Sequence, residues 1–412
     1  MDTRRSRRHS WKHHKAVADV ALALDAAANR TRRARLTIQP PSPIFSAGAI
    51  AASAKGYPRG IFEGRGVVMV GGGPYYSPPA YACLVFLRKT GSSLPVEVWV
   101  PPHEEMPDAI AREFQLHGAA VRSLADFYPE EILPRLHGYI TKPAAIIASS
   151  FEEVLFLDAD NIPLKRPDFL FQHPLYTTNG LLMWPDFWPV EVQPGTWEFL
   201  HVLPSLWPKA SHESGQIVLN KRVGWEPLML TLYFNLLGDI FYPMFSIAGQ
   251  GDKETYPFAF LALGKMYGIV PHRVVAVGYL EYKGVNATDP EHKGTAMLQR
   301  DPEGLPQFLH VHLPKVDLNV SGPFEDRKWL IFSHNVTELP MGLSDDLKGS
   351  YRLLNAVAGM DVEVELHLLR QSMRCHPAWA KYVLQPPVWL SDKLSRAASR
   401  HTDKFIIQRH RA

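Results

Sequence analysis

Two carboxylates, Asp158 and Asp160, close the apolar run 154–157 in the stretch "FEEVLFLDADNIPLKRPDFLF". Two positions apart on a nearly extended chain, their side chains leave on the same side. Two anions about 5 Å apart at an effective dielectric near 20 repel by roughly 3 kcal/mol, so something positive should offset them. Hard carboxylate oxygens with few soft ligands nearby suit Mg²⁺ or Mn²⁺, which keep open positions for phosphate oxygens. The competing reading is a turn, because Asp and Asn hydrogen-bond their own backbone and "DADNIP" holds both, followed by a proline. The position favours the ligand reading: in open α/β sheets, ligands bind beyond the carboxyl ends of the strands.

The surrounding elements supply such a sheet. "GRGVVMVGGG" reads as a buried first strand ended by glycines, "PPAYACLVFLRKTG" as a helix that starts after its prolines and stops at Gly91, and "PVEVWV" as a second strand. Strand, helix, strand at this spacing implies a parallel sheet. "HEEMPDAIAREFQLHGAAVRSL" adds a helix and a short strand, and "TKPAAIIASS" a helix leading into the acid-tipped strand, whose unbroken apolar run suits burial on both faces. The glycines of "VVMVGGGPYY" lack the G-x-G-x-x-G pattern and read as a tight turn rather than a phosphate loop. From Asn179 the Trp- and Pro-rich text has little periodicity and reads as a substrate-shaping excursion. Helical patterns return in "EPLMLTLYFNLLGDIFY" and "ETYPFAFLALGKMYG".

Three segments are expected. Residues 1–60 form a basic arm and a Pro/Ala/Ser linker, possessing a helical pattern at the start but poorly ordered as a whole. Residues 61–340 form the catalytic α/β domain, and residues 341–412 a helical C-terminal appendage. Across 412 residues, 46% are hydrophobic, 21% charged and 11% aromatic, which suits a folded globular protein. A net charge of +3 gives no ground for a nucleic-acid partner. Two cysteines, Cys83 and Cys375, cannot build a disulfide framework or a cysteine-based metal site. No window reaches the length of a membrane span; "VADVALALDAAA" is short and broken by Asp19 and Asp25. Asn286, Asn319 and Asn335 begin glycosylation sequons, which matter only in the secretory pathway.

The run "KPAAIIASSFEEVLFLDADNIPLKRPDFLF", with "GLLMWPDFW", "ESGQIVLNK" and "GDKETYPFAF" following in order, resembles the fungal α-mannosyltransferase family whose Golgi members extend mannan side chains with α-1,2 or α-1,3 mannose. The resemblance covers roughly residues 66–315 and is most specific over 151–186. It implies a GT-A-like nucleotide-diphospho-sugar transferase fold: a mainly parallel sheet flanked by helices. It further implies a retaining reaction, GDP-mannose as donor, a mannose-terminated glycan as acceptor, and Mn²⁺ or Mg²⁺. Asp158 and Asp160 would be the metal- and donor-binding pair.

Further ligands come from elsewhere in the chain. "FLHVHLPKV" puts His310 and His312 on one face of a strand, followed by Lys315, like the late histidine and lysine of related retaining transferases. The alternative is a satisfied structural histidine. Lys142 matches the family's lysine and would reach the diphosphate. Trp184 and Asp186 offer one mannose ring a flat face and a carboxylate; the alternative is a core Trp with a capping Asp. Glu213, Gly215 and Gln216 lie in a polar turn before a strand, where Gly215 allows close approach of the sugar and Glu213 and Gln216 contact hydroxyls. Asp252 or Glu213 would face the anomeric carbon, or Asp252 would be a helix cap. The resemblance implies a Golgi membrane or lumenal address, although no membrane anchor is visible in this sequence. Two rival readings stay open: a UDP-sugar-dependent, glycogenin-like transferase, and a catalytically inactive glycan-binding relative.

Overall fold

The computed structural model describes residues 15, 17–29, 56–247, 251–281, 291–312, 316, 318, 330–333, 350–353 and 358–383. Its centre is a seven-stranded sheet built from β1 (Arg65–Val70), β2 (Val96–Val100), β3 (Ala119–Ser123), β4 (Glu153–Leu157), β6 (Leu181–Pro189), β7 (Ala210–Asn220) and β8 (Gly268–Ile269), in the order β3-β2-β1-β4-β7-β6-β8. Between β4 and β6 the chain also forms β5 (Asn161–Pro163), which joins a second sheet. The half from β3 to β4 is parallel, β7 runs against both its neighbours, and β8 is parallel to β6. This is the mainly parallel α/β layout expected from the sequence.

Strand alternation explains why these strands read as solid apolar runs. Val67, Met69, Leu155 and Leu157 join one core cluster, whereas Val68, Val154 and Phe156 join the other. Residues 17–29 form helix α1. The helices α2 (Gly73–Lys89) and α3 (Asp108–Leu116) cover one face, and α4 (Thr141–Ala148), α5 (Trp225–Leu236) and α7 (Thr255–Ala262) the other, with α6 (Gly238–Phe245) following α5. Among the described residues no single helix is long and apolar enough to cross a membrane. The pair α5 and α6 passes such a test only together, is bent by 105°, and lends its side chains to the core.

The second sheet is antiparallel. It brings together β9 (Val275–Glu281), β10 (Glu291–Arg300), β11 (Pro306–Val311), β12 (Leu330–Ser333) and β13 (Ser350–Leu353) in the order β13-β12-β9-β10-β11-β5. Thus β4 and β5 belong to different sheets, and the chain crosses between them at residues 158–160. A turn closed by the Asn161 N–H on the Asp158 carbonyl, 3.0 Å, makes the corner. The turn reading of "DADNIP" is therefore correct, and the turn sets both carboxylates at the junction of the two sheets.

Several expectations need correction. Helix α2 starts at Gly73, directly after β1, and takes Pro78 and Pro79 inside its early turns instead of starting behind them. The Trp/Pro-rich text after Asn179 opens with a core strand, β6, not an excursion. Register shifts at Leu182/Trp184 and Pro185/Pro189 admit its prolines and hide its alternation. "ESGQ" is the interior of the 11-residue β7 and not a turn before it.

The arm over 1–60 is ordered at α1: Val17, Val20, Leu24 and Ala28 share one helical face and are buried in the core, and Asp25 and Asn29 engage Arg135. Near the other terminus, the helices α8 (Val362–Cys375) and α9 (Pro377–Val383) set Trp379 against Tyr81, ring centroids 5.3 Å apart. They share the α2 core cluster. Cys83 is buried and Cys375 exposed, and both are free.

Candidate functional site

The acid corner opens into a cavity of about 450 Å³ where the two sheets meet. From β4 comes Asp158, and from the turn Asp160. From the second sheet comes His310, set in register opposite Asn161 by the β11–β5 ladder. Its Nε2 lies 3.0 Å from Asp160 Oδ1 and 3.9 Å from Asp158 Oδ2. One ligand atom from each of the three side chains falls within 4.8 Å of the others. His312 lines the same cavity, its ring 4.3 Å from that of His310, but it is not one of the three converging groups. Lys315 lies outside the described residues.

Lys142, in the first turn of α4, is the cation beneath the acids. Its Nζ donates to Asp158 Oδ2 at 2.8 Å and to Ser214 Oγ at 3.1 Å, and stands 3.6 Å from Asp252 Oδ1. Burial alone would disfavour its charge, but Asp158, Asp252 and Glu213 outweigh that and raise its pKa. Burial, with help from Asp160, holds the Asp158 carboxyl above the usual range against the pull of Lys142 and His310. Asp252 is pushed up to about 6, chiefly by burial, and its Oδ2 has no hydrogen-bond partner. For His310, burial is overridden by Asp160 and Glu213, which lift it to about 10. Glu213 is held down at about 2 because His310, Lys142 and the Gly215 N–H outweigh its burial. Lys142 and His310 thus stand where the surrounding carboxylates favour positive charge.

Two carboxylates and an imidazole nitrogen converging on one point form a donor set that fits a hard divalent cation. The converging donor set is the observation that supports the fit, and a cation there would offset the burial and the Asp160 charge that raise the Asp158 carboxyl. Metal binding there would take the place of the His310 proton.

Other expected site residues divide. Asp252, Glu213 and Asp186 all line the cavity. Asp186 forms a 2.6 Å ion pair with Lys253, while burial and Glu213 raise its pKa against that pull. Trp184 does not reach the cavity: it is fully buried, its Nε1 donates to the Arg300 carbonyl at 2.7 Å, and its ring meets Phe308 edge-on at 5.6 Å. The core reading of that tryptophan is the right one. Gln216 is also fully buried and accepts from Asn161 Nδ2 at 2.5 Å, so it pins the acid turn and has no free surface for a hydroxyl.

Gly215 does permit a close approach, but to the protein's own histidine. A Cβ there would lie 2.6 Å from His310 Nδ1. Sequence reading missed Lys253 as the partner of Asp186, and Ser214, Phe187 and Trp188 as cavity residues. The aromatic pair was legible in principle as the continuation of "WPDFW" past the last buried position.

Comparison with known proteins gives the same direction. The mannosyltransferase family model Mannosyl_trans3 matches residues 64–206 and 198–301, more than half of the chain. The chain belongs to that mannosyltransferase family. It is 31% identical over 277 residues to Alpha-1,2-mannosyltransferase MNN24 of Candida albicans, covering 59% of this chain and 38% of that protein. Against Alpha-1,2-mannosyltransferase MNN2 of Saccharomyces cerevisiae it is 33% identical over 285 residues, covering 59% and 46%. The chain spans less than half the length of these two relatives. The solved structure of the mannosyltransferase Ktr4p from S. cerevisiae matches 48% of this chain and 66% of its own, at 10% identity and a TM-score of 0.33.

Proposed function

We propose that this protein transfers mannose from GDP-mannose to a hydroxyl of a mannoside with retention, forming an α-1,2 or α-1,3 linkage, in the secretory pathway. The observation that carries the reading is the convergence of Asp158, Asp160 and His310 on one point, at a cavity that Asp158 and His310 line, in a chain of a mannosyltransferase family. In this reading Asp158, Asp160 and His310 would hold Mn²⁺ or Mg²⁺, which when bound supplies positive charge for the departing diphosphate.

The chain's own groups do the rest. Lys142 donates to Asp158 and pulls its carboxyl towards the ionised form against burial. The glycosyl transition state carries positive charge at C1, and two carboxylates are available to it. Glu213 is held ionised, while Asp252 presents an oxygen that no protein group uses. The Asp186–Lys253 pair would meet sugar hydroxyls.

Incubation with GDP-mannose, Mn²⁺ and methyl α-mannoside, followed by mass analysis, tests the reading. The expected product is the acceptor plus one hexose, lost on chelation with EDTA. If a UDP-sugar alone gives product, or if transfer survives EDTA, the proposal fails.

A further inference from the structure

The cavity has a second end, with a different chemistry. Along β6 residues 181–185 are buried, Asp186 is half-buried, and then burial stops: Phe187 is 39% and Trp188 53% exposed. Between Pro185 and Pro189 the register with β7 shifts, so residues 186–188 have no partner on β7 before the ladder resumes at Pro189 and Ala210. Two large, partly exposed rings thereby line the cavity that Asp158 and Asp252 also line. Apolar rings gain from being covered, so a pair left in water at a cavity mouth marks a contact surface.

Position decides what lies on it. Neighbouring strands order the groups across the sheet: Asp158 at the end of β4, Glu213 and Ser214 on β7, then Asp186, Phe187 and Trp188 on β6. The aromatic end therefore lies across Glu213 from the acid corner. With the donor's diphosphate at the corner, what lies beyond the reacting carbon is the second substrate. Flat rings beside a carboxylate and a lysine suit a pyranose: the C–H face rests on the ring and the hydroxyls meet the Asp186–Lys253 pair. A guanine base could use the same rings and the same pair, so it is the place across Glu213 from the acid corner that favours the second substrate.

We propose that Phe187 and Trp188 form the platform on which the acceptor mannoside lies. The inference rests on the transfer reading for its choice of sugar, but its test does not need turnover. Binding of α-mannobiose to the full chain is followed by ligand-observed NMR titration, and binding of GDP with Mn²⁺ by thermal shift. Trp188→Ala should weaken mannobiose about tenfold, Phe187→Ala less, and Trp188→Tyr should restore most of the affinity. The GDP shift and the ligand-free melting midpoint should stay as in the wild type, since both rings are exposed.

Unchanged mannobiose affinity in both alanine variants, or no mannobiose binding by the wild type, overturns the platform. So does an equal loss of GDP affinity, which would hand the rings to the nucleobase. A wild type that binds mannobiose through Trp188 yet transfers nothing from GDP-mannose supports the platform and sinks the transfer reading.

Discussion

Two buried polar clusters meet along β7, and they are built on opposite rules. Behind the strand, His212 and Glu254 are almost wholly buried and pair at 2.6 Å. Ser211 Oγ donates to Glu254 at 2.6 Å, and the other imidazole nitrogen meets Tyr267 at 2.8 Å. Every polar side-chain atom there has a partner. In front, Asp158, Asp160, Glu213 and Asp252 face Lys142 and His310, whose Nδ1 stands 3.5 Å from Glu213 Oε1, and Asp252 Oδ2 lacks a hydrogen-bond partner. A closed cluster that is fully paired serves the fold. An open one that keeps excess negative charge is shaped for something that is not protein.

The sharpest way to break this contrast is to remove charge from the front cluster. Asp158→Asn or Asp160→Asn should lower transfer by about 10³-fold while leaving the melting midpoint of the metal-free protein unchanged or higher, because repulsion is relieved. A fall of several degrees with activity kept would mean that the pair only makes the corner.

The rear cluster should behave in reverse. Glu254→Gln should cost about 2 kcal/mol of stability, read by denaturant unfolding, with KM for donor and acceptor little changed. Its pH dependence has a sign. Burial opposes the Glu254 charge, but His212 and Ser211 outweigh it and depress the pKa below the ordinary 4.5. The carboxylate's contribution is therefore complete above pH 4.5 and lost as pH falls through the lowered value. The stability gap between wild type and variant should be flat at neutral pH and shrink below pH 4.5; a gap that widens on acidification would refute the assignment.

Smallest is Trp184→Phe. It should cost about 1–2 kcal/mol through the lost Arg300 bond and volume and leave donor KM unchanged, whereas a mannose-stacking ring would raise it.

What could be read in the sequence follows the range of each signal. The parallel half of the sheet was legible because β1, β2 and β4 are local apolar runs bounded by glycine, proline or acids. Asp158 and Asp160 were reached because a strand end and the family resemblance both mark them, whereas Lys142, Glu213, Asp252 and His310 rested mainly on the resemblance. The resemblance could not tell the two histidines apart; only the β11–β5 register puts His310 against Asp160 and leaves His312 beside it. Trp184 misled because a buried tryptophan and a sugar platform share one letter, and the residue that separates the readings, Arg300, is 116 positions away. Of the second sheet the sequence reading reached β11 as a strand but not its partners, since β5 is only three residues long and joins β11 from far up the chain.

Gly215 gives the histidine its room. Because the imidazole from one sheet rests where the other lacks a side chain, a single methyl group added at 215 would act as a wedge between layers. Cation uptake would then report more than occupancy: it would sense whether the two sheets have seated against each other, making Gly215→Ala a variant that displaces His310 while leaving the chemistry of all three converging groups unaltered.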